Sequence, residues 1–218
     1  MKRGWWPHHL QHGSTTLHRG LGARPFWDIE TLPSPVKKGI EILRAASAQM
    51  AKETQKLDAN AKLWVPSDDL YVRNLVQDKG GSARWRQMFL NDTGPSSPCN
   101  SLPLTCRAVK RAMDASNGLM TSAKISALWC EKCEIIPHCG PTTTRLRLVI
   151  PLHQPIGSLY QLLVANKVAP SMVGRPLVFD DSIEHTVRYT TGDSSIPRMI
   201  LLMDIVHPML NDESSVVP

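Results

Sequence analysis

Thr144-Arg145-Leu146-Arg147-Leu148-Val149-Ile150 changes character at every second residue. Alternate side chains of a strand point to opposite faces, so Thr144, Leu146, Leu148 and Ile150 share one face and Arg145, Arg147 and Val149 the other. Two arginines therefore stand side by side on a strand whose opposite face is apolar. The period of two sets in after Ser122. Residues 176–179 and 185–189 read as short strands around the turn Asp180-Asp181-Ser182, and 199–206 as a strand apolar on both faces.

Upstream the pattern is different. Val36, Ile40, Ile42, Leu43, Ala46 and Met50 recur mostly at three- and four-residue spacings and predict one amphipathic helix over 35–56. Between 65 and 100, Gly80, Gly81, Gly94, Pro95 and Pro98 mark turns around an apolar-aromatic run at 85–90, which fits loops and short strands. A second helix is expected from Pro103 or Leu104 through Met113, closed by the stop signal Asn117-Gly118. Helices first and strands afterwards predict a mainly β fold with flanking helices, a double-stranded β-helix or jelly roll. The chain of 218 residues suits one domain, placed at 24–210, with a flexible extension at 1–23 and a tail at 211–218.

Lysines and arginines number 25 against 19 acids, a net charge of +6 spread without a dense run. Nucleic-acid binding calls for a clustered basic patch, so a solvated surface with a pocket for anions is the expectation, and no nucleic-acid partner. No stretch approaches the roughly 18 apolar residues of a membrane span, so no transmembrane segment is expected. The first 27 residues hold no acid, carry Lys2, Arg3, Arg19 and Arg24 with His8, His9, His12 and His18, and lack the apolar core of a secretory signal.

His138 closes the run Ile135-Ile136-Pro137, and His185 follows Phe179-Asp180-Asp181-Ser182-Ile183-Glu184. Each stands where a strand meets a turn. Non-haem Fe(II) oxygenases bind their metal through two histidines and one carboxylate. Two residues after His138, where many of them carry an acid, stands Gly140. On chemistry alone this leaves three readings: a two-histidine iron site with an extra water, a site open to halide, or no metal.

Cys130-Glu131-Lys132-Cys133 has the Cys-x-x-Cys spacing of redox sites and zinc knuckles, and with His138 and Cys139 nearby four zinc donors can be named. Zinc sites usually pair two such knuckles, and a thioredoxin-like site needs a βαβ setting that is missing here. Two cysteines packed or bridged in a β-rich core is the simpler reading. Five cysteines leave at least one unpaired, so the count alone does not fix the compartment.

Pro137-His138-Cys139-Gly140-Pro141-Thr142, then Arg145-Leu146-Arg147, then Phe179-Asp180-Asp181-Ser182-Ile183-Glu184-His185 together resemble the core of the aspartyl/asparaginyl β-hydroxylases. That family also lacks the carboxylate ligand and has a glycine at this position. The tail Arg198-Met199-Ile200-Leu201-Leu202-Met203-Asp204-Ile205-Val206-His207-Pro208 is similar to the family's closing strand. Arg24-Pro25-Phe26-Trp27 and Trp85-Arg86-Gln87 carry the resemblance upstream, so that it covers 24–210.

The resemblance implies Fe(II) held by His138 and His185, with 2-oxoglutarate as co-substrate and molecular oxygen as the second. Arg198 would anchor the distal carboxylate of 2-oxoglutarate, with Arg147 and Ser126 as further co-substrate contacts. Arg145 and Arg147 would hold the carboxylate or amide of the substrate, an Asp- or Asn-type side chain in a peptide or small molecule. Cys99 and Cys106 match a disulfide pair of the animal enzyme. Three positions depart from the family. Its serine eleven residues before the first metal ligand is Ala127, with Ser126 beside it; a histidine two residues after the second arginine is Val149; and a Pro-Gly turn is Glu131-Lys132. A zinc or thiol-redox protein using Cys130 and Cys133, and a catalytically inactive jelly-roll relative, are the competing readings. The missing signal favours the cytoplasm, and a bridge between Cys99 and Cys106 would favour an oxidising lumen.

Overall fold

The computed structural model describes residues 9–11, 18, 20–57, 62–66, 76–78, 83–90, 97–169 and 171–210. Helix α1 is Ser34–Thr54 and α2 is Pro103–Ala115. The strands are β1 Phe26–Trp27, β2 Val65–Pro66, β3 Val76–Asp78, β4 Arg84–Phe89, β5 Met120–Trp129, β6 Lys132–His138, β7 Arg145–His153, β8 Leu159–Val164, β9 Lys167–Val168, β10 Leu177–Phe179, β11 His185–Thr190 and β12 Arg198–Val206.

Helix α1 forms where the apolar spacing places it, with Pro35 in the first turn, where no hydrogen bond is lost. Its buried face, including Val36, Ile40, Leu43 and Met50, packs on a sheet with α2 beside it. The first turn of α2 has no side-chain cap of its own. Glu53 of α1 supplies one, accepting from the backbone N–H groups of Leu104 (2.9 Å) and Thr105 (2.7 Å) and from the Thr105 hydroxyl (2.7 Å). A carboxylate at the positive end of a helix is favourable on both hydrogen-bonding and dipole grounds. Helix α2 stops at Asn117 and Gly118, both at positive φ (53° and 80°), as the Asn-Gly pair predicts.

Cys99 and Cys106 are joined in a disulfide that ties the short turn at Pro98–Asn100 to α2. Closing so short a loop is worth roughly 2–3 kcal/mol through the unfolded chain. Cys106→Ser is therefore expected to lower unfolding stability by about 2 kcal/mol in urea titration; an unchanged midpoint would contradict this.

Among the described residues the strands form two antiparallel sheets, ordered β1-β10-β7-β12-β5-β4-β2 and β3-β6-β11-β8-β9. From β5 onward the chain divides its strands between the sheets. β5, β12, β7 and β10 lie adjacent in one, and β6, β11, β8 and β9 in the other. That order is a jelly roll, the double-stranded β-helix. The alternation of the opening heptapeptide has a direct structural counterpart: Leu146, Leu148 and Ile150 are buried against the helices, while Val149 packs between the sheets with Phe179, Leu162, Val164 and Ile200. β12 splits likewise, with Met199, Leu201, Met203 and Ile205 toward the helices and Ile200 inward.

The N-terminal stretch, expected to be a flexible extension, is hydrogen-bonded to the jelly roll where it is described. Gln11 forms a bridge with Ile183, its side-chain amide donates to Ser182 Oγ (2.6 Å), and the Glu184 N–H donates to the Leu10 carbonyl (2.8 Å). No helix of the described residues is long and apolar enough to cross a membrane.

Candidate metal and co-substrate site

His138 ends β6 and His185 begins β11, and the two are directly paired across these antiparallel strands. Their rings lie 4.1 Å apart, centroid to centroid. In each, the Nδ1–H donates to a carbonyl two residues back, Ile136 for His138 (2.8 Å) and Ile183 for His185 (2.9 Å). That bond fixes the ring and its tautomer and leaves Nε2 with its lone pair outward, the state in which imidazole ligates a metal.

Burial keeps both rings neutral. It lowers the pKa of His138, and it pushes that of His185, with the neighbouring His138 adding to the effect, down to about 3. An unfolded chain protonates His185 below about 6.5, whereas the folded chain does not until about 3. The folded state thus binds fewer protons across this window and loses stability as pH falls through it. Asp180, raised by burial to about 6, acts oppositely between 3.8 and 6 and there offsets His185 proton for proton. The urea midpoint of the metal-free protein is accordingly expected to lose more on going from pH 7 to pH 4 than that of His185→Ala. Equal losses in the two proteins would contradict the neutral, buried His185.

The pair opens on a cavity of about 130 Å³ whose lining includes Ser126, Trp85, Gly140, Arg145, Arg147 and Leu202. The β5 register explains the role of its serine. Ser126 faces this cavity and accepts a hydrogen bond from Trp85 Nε1 (2.9 Å), whereas Ala127 points the other way and is buried under the helices. A strand allows only one of two neighbours inward, and here it is Ser126.

Arg145 and Arg147 also reach the cavity, held in a closed set of ion pairs. Asp181 Oδ2 accepts from Arg145 Nη2 (3.0 Å) and Arg147 Nε (2.8 Å), and Asp204 pairs with Arg145 Nη1 (2.9 Å) and Arg147 Nη1 (2.9 Å). Burial opposes the charge on Asp181, yet Arg147 and Arg145 hold its carboxyl below the usual carboxylate range. Neither aspartate was singled out from sequence as a partner for these arginines. The only available signal was that Asp204 shares the parity of Arg198 on one strand.

Arg198 begins β12 and is 4% exposed. Its guanidinium stacks on the Tyr160 ring, Cζ 3.4 Å from the centroid, and its Nε and Nη2 have no hydrogen-bond partner among the described residues. Among the described residues no carboxylate pairs with it. A buried cation without a counter-ion is costly, so the place calls for an anion. Nε and Nη2 form the lateral edge of the guanidinium, the fork that takes both oxygens of one carboxylate.

The four zinc donors named from sequence do not converge. Cys130 and Cys133 are disulfide-bonded to each other at the start of β6, and His138 and Cys139 lie at its other end. Among the described residues no cluster of three or more His, Cys, Asp or Glu is arranged to hold a metal.

The fold and the cross-strand imidazoles together define a jelly-roll protein with a two-histidine site. The sequence pattern of the aspartyl/asparaginyl beta-hydroxylases matches residues 44–208, and the chain belongs to that family. It is 29% identical over 197 residues to the aspartyl/asparaginyl beta-hydroxylase of Mus musculus, covering 89% of this chain and 25% of that one. To aspartate beta-hydroxylase domain-containing protein 2 of Homo sapiens it is 30% identical over 130 residues, 58% of this chain and 34% of that one. The chain thus spans about a quarter to a third of the length of these relatives. A solved structure of an oxidoreductase of the 2OG-Fe(II) oxygenase family from Burkholderia pseudomallei is 12% identical, covering 89% of this chain and 96% of that chain, with a TM-score of 0.46.

Proposed function

We propose that the protein is an Fe(II)- and 2-oxoglutarate-dependent dioxygenase that hydroxylates an Asp- or Asn-type side chain of a peptide or small molecule. The observation that carries this is the His138–His185 pair, two neutral imidazoles with Nδ1 tied to backbone and Nε2 left for a metal. Fe(II) with 2-oxoglutarate and oxygen would supply the oxidising power for an unactivated carbon. Everything else falls to the protein.

His138 and His185 would hold the ion, and their backbone hydrogen bonds keep the rings in place through turnover. Arg198 suits the distal carboxylate of the co-substrate, since its fork edge is buried and unpaired. On β12 the inward positions Arg198 and Leu202 are four residues apart, about 13 Å at strand rise. An arginine side chain and a five-carbon diacid together suit that separation. Ser126, two residues from the β5 partner of Arg198, can direct its hydroxyl proton into the cavity because Trp85 already fills one of its acceptor positions. Arg145 and Arg147 would meet the carboxylate or amide of the substrate at the outer side, with Asp181 and Asp204 keeping the two guanidinium groups in register.

Under anaerobic conditions the protein is expected to bind Fe(II) and 2-oxoglutarate with their charge-transfer absorption, and to form succinate on exposure to air. No such band in the wild type would sink the reading. Screening Asp- and Asn-containing peptides and the free amino acids for the mass of one added oxygen identifies the substrate. The disulfides Cys99–Cys106 and Cys130–Cys133 favour folding in an oxidising compartment over the cytoplasm.

A further inference from the structure

The guanidinium of Arg198 has one face on an aromatic ring and one edge unsatisfied, and both features come from the minor sheet and its facing strand. Tyr160 of β8 supplies the ring, 3.4 Å from Arg198 Cζ. Its cross-strand partner is Tyr189 of β11, itself buried. Two tyrosines side by side thus form an aromatic wall opposite the start of β12. Leu128, the β5 partner of Arg198, packs against that wall.

A long side chain in such a place would ordinarily be fixed by a carboxylate. Here the fixing element is Tyr160, whose ring face attracts the cation and whose hydroxyl is within hydrogen-bonding reach of the guanidinium without taking its Nε–Nη2 edge. Stacking restricts the guanidinium to the plane of the ring and blocks approach from one face. An anion must therefore come in edge-on, where Nε and Nη2 are free. A counter-ion of the protein would have filled that edge; a tyrosine ring leaves it open.

We propose that Tyr160 is a positioning residue for the co-substrate: it orients Arg198 so that the Nε–Nη2 edge receives the distal carboxylate of 2-oxoglutarate. This rests on the reading of Arg198 given above, and the test separates the two. The protein is loaded with Mn(II), which occupies the site without turnover, and titrated by calorimetry with 2-oxoglutarate and with 2-oxopentanoate. The second ligand has the same metal-chelating end and a methyl group where the distal carboxylate would be.

Wild type is expected to prefer 2-oxoglutarate. Tyr160→Leu is expected to weaken 2-oxoglutarate about tenfold and leave 2-oxopentanoate unchanged, while Tyr160→Phe, which keeps the ring, stays within about twofold of wild type. Tyr160→Met makes the same comparison if the leucine variant does not fold. Arg198→Met is expected to bring 2-oxoglutarate down to the affinity of 2-oxopentanoate. If Arg198→Met leaves 2-oxoglutarate binding intact, the assignment of Arg198 itself is overturned. Should Arg198→Met weaken it while Tyr160→Leu does not, Arg198 stands and the role of Tyr160 falls. Equal weakening of both ligands in Tyr160→Leu also overturns the proposal, because a purely structural role would not distinguish the distal carboxylate.

Discussion

His185→Ala is expected to abolish Fe(II) binding and with it both the charge-transfer band and succinate formation. With two protein ligands, removing one leaves a single imidazole, which holds a divalent ion no better than a surface histidine. Disturbing even the outer partners of a metal ligand costs about 10- to 100-fold in affinity, so the loss of a ligand itself should exceed about 100-fold. The fold should survive, because His185 sits at the first position of β11 and its side chain donates only to the carbonyl of Ile183. His138→Ala is expected to behave alike, since the two rings are related across one strand pair and each has the same backbone anchor. Circular dichroism of both variants confirms the fold, and anaerobic titration with Fe(II) reads the affinity. A His185→Ala protein that keeps the wild-type band would remove the metal from this place altogether.

Much of this arrangement is legible in the sequence, and the limits have physical causes. Leu146, Leu148 and Ile150 declare their face because a strand gives sequence neighbours opposite environments, and in β7 they lie in the core under the helices while Val149 faces the other sheet. Helix α1 was legible for the same reason at a different period. The hairpin β8–β9 was not: its turn is Ala165-Asn166, with φ of 48° and 64°, and lacks the glycine that announces such turns. The Glu53 cap on α2 joins residues 51 and 52 apart, and no local pattern encodes it.

The site divides the same way. His138 and His185 were weak as single histidines and became a pair only through register, which two strand ends 47 positions apart do not reveal on their own. Ser126 and Ala127 are a choice that strand parity makes and an alignment by spacing does not. For Arg145 and Arg147, sequence showed the shared face and not the partners, since Asp181 and Asp204 come from a turn and a distant strand. Tyr160 carried no signal at all. What marks it is the stacked guanidinium, a contact between β8 and β12 that exists only once the sheets face each other.

Gly140 is where sequence and structure bear on one question, why the position two residues after His138 carries no acid. Its N–H donates to the backbone carbonyl of Asp181, and a Cβ placed there would run into both carboxylate oxygens of Asp181. The volume a third ligand's side chain would need is already filled by a carboxylate committed to Arg145 and Arg147. Asp181 cannot yield without leaving two half-buried guanidinium groups short of charge. Gly140→Ala is therefore expected to cost about 1–3 kcal/mol by overpacking. Gly140→Asp should cost more, because it adds a second negative charge and unseats the first; breaking a buried ion pair runs to about 3–5 kcal/mol. Neither variant should gain iron affinity. The informative comparison is the double variant Gly140→Asp with Asp181→Gly, which removes the obstructing carboxylate and returns one from the neighbouring strand end. It should recover a substantial part of the stability lost in Gly140→Asp alone, read as urea midpoints of the metal-free proteins. If Gly140→Ala is as stable as wild type within about 0.5 kcal/mol, the glycine is not there to make room for Asp181, and the missing acid at this position needs another cause.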